Sequence, residues 1–117
     1  MEASDLSSYV LRVTSPQGSG VHRLPRGRTI IGRSAVGDPD IAIGDVLAAP
    51  RHCVLDWDPQ LACHRLTVWG VNGVSVNGML VIANAESRPL SAGDELRIGQ
   101  TSLWYELTDG TPRARAG

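Results

Sequence analysis

No window of a dozen residues in this chain repeats its apolar side chains every three or four positions, so no amphipathic helix is expected. Short runs alternate apolar with polar residues instead, which is the pattern of half-buried strands. Tyr9–Thr14, Val21–Leu24, Arg28–Gly32, Ile41–Ile43, His52–Trp57 and His64–Trp69 read this way. So do Val74–Val76, Leu80–Ile82, Arg88–Leu90, Glu95–Ile98 and Leu103–Leu107. Turn-forming residues separate them: Ser15–Gly20, Asp58-Pro59-Gln60, Asn77-Gly78, Gly93-Asp94 and Gly99-Gln100. Asn-Gly between two strands is the sharpest of these signals, because both residues tolerate the positive φ that a tight hairpin requires. About eleven strands with turns every eight to twelve residues predict an all-β antiparallel sandwich or barrel.

At 117 residues the chain fits one domain with one core. The segments 1–8 and 108–117 are expected to be disordered tails, the second a possible linker, leaving 9–107 as the folded unit. The net charge of −1 gives no basic field for nucleic acid. No apolar run approaches the length that spans a bilayer, and Met1–Ser8 lacks the basic start of a secretory signal, so a cytoplasmic setting is the expectation. Every basic residue is an arginine. The Arg-only, Ala- and Gly-rich composition points to a bacterial source, and each cation is a planar fork suited to anions. Phe is absent, so Val, Ile, Leu and the three Trp (Trp57, Trp69, Trp104) are expected to fill the core. Cys53 and Cys63 are read as buried free thiols, with a cross-strand disulfide as the alternative.

Enzymatic chemistry has little to stand on. His22, His52 and His64 fall on separate segments without metal-ligand spacing. Ser34 lies in no nucleophile elbow, and no phosphate-binding glycine loop is present. No catalytic residue, metal or cofactor is expected.

Three loop segments carry the remaining signal: Gly32-Arg33-Ser34, Pro50-Arg51-His52, and Asn72-Gly73-Val74-Ser75-Val76-Asn77-Gly78. Their order, with the tail Leu90–Gly99, resembles the forkhead-associated (FHA) family over roughly Tyr9 to Leu107. The resemblance implies an FHA-type sandwich with binding loops at one end, and a module that reads phosphothreonine. It places Arg33 at the phosphate-binding arginine and Asn72 at the asparagine that contacts the peptide main chain. It makes His52 a structural brace, and Gly32, Gly73, Asn77 and Gly78 turn formers.

The departures are as informative. The family's phosphate-binding serine is here Ala49, and the polar position after it is Pro50, which lacks an N–H. The hydroxyl residue before the first Asn-Gly is Val71. A hydrogen bond to a charged group contributes about 1.5–3 kcal/mol. Two losses, if additive, weaken phosphate binding by about a hundred- to ten-thousand-fold. Ser34 and Arg51 are the residues placed to compensate. The expected function is a protein–protein interaction module, phospho-independent or altered in phosphate recognition. The alternative is a phosphothreonine-peptide reader in kinase signalling that uses Arg33 and Asn72. The expected partner is another protein or peptide, or a second copy of the chain, and neither nucleic acid nor membrane.

Overall fold

The computed structural model describes residues 8–33 and 39–108. Eleven strands form: β1 (Ser8–Ser15), β2 (Gly18–Leu24), β3 (Arg28–Arg33), β4 (Ile41–Ile43), β5 (Cys53–Asp58), β6 (Cys63–Val68), β7 (Val74–Val76), β8 (Met79–Val81), β9 (Arg88–Pro89), β10 (Glu95–Ile98) and β11 (Thr101–Thr108). They make a six-stranded sheet in the order β2-β1-β11-β10-β7-β8 and a five-stranded sheet in the order β4-β3-β5-β6-β9. The sandwich read from the alternation is therefore the fold. One pair departs from the antiparallel expectation: β3 and β4 run parallel, Ile31 beside Ile41 and Arg33 beside Ile43. Alternation reports which face a residue takes, not which way its neighbour runs.

Alternation along each strand builds the core. Leu11 and Val13 of β1 and Leu103 and Tyr105 of β11 face Ile31, Leu55, Leu66 and Val68 of the other sheet. Burying each such aliphatic side chain contributes roughly 1.5–3 kcal/mol. The turn at Asn77-Gly78 has φ of 52° and 88°, the type I′ hairpin expected of that pair. Asn77 does more than turn. Its side-chain oxygen accepts from the Glu95 N–H at 2.9 Å and its Nδ2 donates to Asp94 at 2.9 Å, tying the hairpin to the start of β10.

Three readings need correction. The tryptophans do not fill the core; Trp57, Trp69 and Trp104 are half-buried. Trp104 lies between Leu103 and Tyr105, both buried, so the pleat turns it outward. Each indole face is covered by an arginine: Arg26 at 5.1 Å, Arg51 at 5.8 Å and Arg12 at 5.5 Å. The place expected of a tryptophan is taken by Tyr105. Its hydroxyl accepts from the His64 N–H at 2.9 Å and donates to His64 Nδ1 at 2.8 Å, while Nε2 donates to the Pro25 carbonyl at 2.8 Å. Tyr9 stacks on Tyr105 at 4.3 Å. Burial lowers the His64 imidazole below its usual range and raises the Tyr105 phenol, so both sit neutral in this cluster. Second, β2 begins at Gly18 rather than after the glycines, because Gly18–Gly20 pairs with Val13–Ser15 of β1 past a turn at Pro16-Gln17.

The third concerns the disulfide alternative. Cys53 pairs with Val68 at one end of the β5–β6 ladder, and Cys63 pairs with Asp58 at the other. Both are free and buried, as the apolar alternation implied, and burial pushes the Cys53 thiol up to about 12.

β1 and β11 run side by side from Thr14 beside Ser102 to Ser8 beside Thr108. Thr101 begins at the turn that contacts the loops described next, so Ser8 and Thr108 lie together at the far end of the sandwich.

Candidate functional site

The site starts from the end of β3. Gly32 is buried, and the Ala49-Pro50 main chain passes directly over it. A Cβ there would overlap the Pro50 carbonyl oxygen and lie 2.6 Å from its carbon. Only a glycine lets the β4–β5 loop approach so closely. The Arg33 N–H then donates to the Ala49 carbonyl at 2.9 Å, so the arginine is placed by the loop it serves.

His52 holds that loop from behind. It is fully buried. Its Nδ1 accepts from the Ala49 N–H at 2.9 Å and its Nε2 donates to the Gly73 carbonyl at 2.8 Å. This assigns the proton to Nε2. Its carbonyl accepts from the N–H groups of Trp69 and Gly70, both at 2.8 Å. Gly70 has no room for a side chain, since a Cβ would overlap the His52 ring. The β4–β5 and β6–β7 loops are thus joined through one imidazole. Asn72 adds a second joint, its Nδ2 donating to the Leu47 carbonyl at 3.0 Å.

Asp45 supplies a third joint that no sequence pattern announced. Its carboxylate accepts from the N–H of Leu47 at 2.9 Å, the N–H of Gln100 at 2.8 Å and the hydroxyl of Thr101 at 3.0 Å. Gly99 makes way for it, with a Cβ there only 2.7 Å from Asp45 Cγ. Burial by itself would raise this carboxyl. The three donors and nearby His52 outweigh it and hold Asp45 below its ordinary range. A carboxylate with a depressed folded-state pKa stabilises fully above its unfolded value, about 3.9, and loses that contribution as pH falls through the folded value. In urea unfolding, Asp45→Asn is expected to be less stable than the parent by about 1–3 kcal/mol at pH 7. The gap should close as pH falls below about 4. A gap that persists at the lowest pH where both fold would show that the charge is not the cause.

The predicted site residues divide as follows. Arg33, Ala49, Pro50, Arg51, Val71 and Asn72 lie on the two joined loops or beside them; Ser34 lies outside the described residues. Arg51 lies over the Trp69 ring rather than reaching across the site. Val71 is 89% exposed, so it caps the loop tip without filling the space near Arg33. The Arg33 guanidinium makes one long contact, 3.5 Å from Nη1 to the Val46 carbonyl. No carboxylate pairs with it among the described residues. A guanidinium has five N–H donors, so among the described residues most of this fork is uncommitted. Three main-chain positions of these loops offer no free donor: Pro50 has no N–H, and those of Ala49 and Leu47 are taken by His52 and Asp45. Among the described residues no cluster of three His, Cys, Asp or Glu side chains is arranged for a metal, and no helix is long and apolar enough to cross a membrane.

The result is a two-sheet sandwich with two loops locked together beside an arginine that has no carboxylate partner among the described residues. The FHA domain family model matches residues 29–99, and the chain belongs to the FHA family, whose members are protein-interaction modules that bind phosphopeptides. Solved structures agree. An FHA domain studied for phosphothreonine-dependent interactions is 27% identical over 85% of this chain and 95% of its own, with a TM-score of 0.70. The FhaA FHA domain, solved in complex with the intracellular domain of Rv3910, has the same identity over 85% of this chain and 100% of its own, also at 0.70. The FHA domain of CT664 from Chlamydia trachomatis, 20% identical over 85% of this chain and 96% of its own, shares the fold at 0.72. No curated protein sequence is similar enough to count as a relative.

Proposed function

We propose that this chain is a non-enzymatic interaction module whose 9–107 unit receives a segment of a partner protein on the loops around Arg33 and Asn72, and that phosphothreonine is not obligatory for it. One anionic group would sit on the Arg33 fork, with the partner main chain on Asn72. The observation that carries this reading is the Arg33 guanidinium, which among the described residues has no carboxylate partner and only one long contact, beside an Ala49 N–H already given to His52. A planar fork matches a carboxylate as well as a phosphate, and a single-charged group needs fewer supporting donors than a dianion. Ala49 and Val71 remove two hydroxyls, and Pro50 removes an amide.

A second reading keeps the module as a phosphothreonine reader in a kinase pathway. It draws on the absence of any carboxylate partner for Arg33 among the described residues, which leaves the fork open to a dianion.

An array of matched peptides carrying Thr, phosphothreonine, Asp or Glu at one position separates the two. The first reading expects binders for which phosphate adds less than about ten-fold, and Arg33→Ala weakens them by about ten- to a hundred-fold. Binding seen only with phosphothreonine, and lost on phosphatase treatment, would establish the second.

A further inference from the structure

The outer strands of the two sheets are β2 and β8 in one and β4 and β9 in the other. An outer strand presents unpaired N–H and C=O groups, and proteins blunt it with charge, proline or shortness. Three of these edges are blunted. β2 carries Arg23 and two glycines, β4 is three residues long beside Asp40, and β9 is Arg88-Pro89. β8 has neither charge nor proline. From Val71 to Ala85 no residue is charged and none is proline. Met79, Leu80 and Ile82 are 67%, 60% and 63% exposed.

The register says what this edge offers. Val76 and Met79 close the two-residue hairpin as a hydrogen-bonded pair, and pairs alternate from there. Met79 and Val81 therefore spend their main-chain groups on β7, and Leu80 turns its N–H and C=O outward.

We infer that β8 is a self-association edge: it pairs antiparallel with β8 of a second copy, centred on Leu80. A two-fold axis there sets Leu80 opposite Leu80 and Met79 opposite Val81 of the second copy, with Ile82 diagonal to Leu80. A strand facing its own copy meets its own charges, and on β8 there are none to oppose. The contact is small. Three side chains a side fall short of the roughly 1,200 Å² of a stable dimer, which places this pairing among the weak, transient associations.

Leu80 is also the discriminating position, because like charges there would face each other directly. Leu80→Lys and Leu80→Glu should each weaken sedimentation-detected self-association at least ten-fold, with far-UV circular dichroism unchanged. An equal mixture of the two should restore it. Should either fail to fold, Ile82→Lys, an exposed position just past the end of β8, is expected to give the same loss. A parent chain that remains monomeric up to about 1 mM overturns the inference. So does association that survives these substitutions, or a mixture of two folded charge variants that does not associate.

Discussion

Gly32→Ala should destabilise the chain by about 3 kcal/mol or more and remove binding at the loops together with it. The cause is steric and lies in the main chain. The added methyl meets the Pro50 carbonyl, which cannot rotate away as a side chain would. Relief requires the Ala49-Pro50 segment to lift. That breaks the Arg33 N–H bond to Ala49 and strains the Ala49 bond to His52. Urea unfolding reads the first effect and peptide anisotropy the second. A loss under about 0.5 kcal/mol, the range of an inert surface substitution, would mean that the loop does not cross Gly32 at the distance described.

His52→Ala is the second large effect. It leaves the Ala49 N–H and the Gly73 carbonyl without partners and opens a hole under Gly70. Each stranded polar group costs about 1–3 kcal/mol. With the hole the total is about 3–5 kcal/mol, a large part of the 5–15 kcal/mol typical of a domain. The melting temperature should fall by roughly 15 °C or more. Because His52 is a positioning residue, its loss should also weaken peptide binding at low temperature, where the variant is still folded, without changing which peptides are preferred. Unchanged affinity in the folded variant would separate the brace from the site.

Much of this was readable from the sequence, and the limits have physical reasons. Strands were visible because half-buried strands alternate, and the β7–β8 hairpin because Asn77-Gly78 suits one turn. Gly18–Gly20 looked like a turn because glycine and serine carry no facial signal, yet they pair along β1. The tryptophans read inward because Phe is absent and the core needs large side chains; the pleat instead turns Trp104 outward, and an arginine lies over each half-buried ring. The parallel β3–β4 pair was invisible because facial pattern carries no direction. In the site, motif spacing located Arg33, His52 and Asn72. Nothing local pointed to Asp45 or to Gly70, whose reasons lie 55 and 18 residues away, in the Gln100 amide and the His52 ring.

The pairing of Ser8 with Thr108 has a consequence for how such a module is used. Both ends of the sandwich chain depart from the pole opposite the loops. A domain joined at either end would leave from that pole, away from the loops around Arg33. The length of such a connection would set the effective concentration at which the sandwich meets its ligand and, through the proposed β8 contact, a second copy. Contacts too weak to persist between free molecules become sizeable once two copies are carried on one assembly.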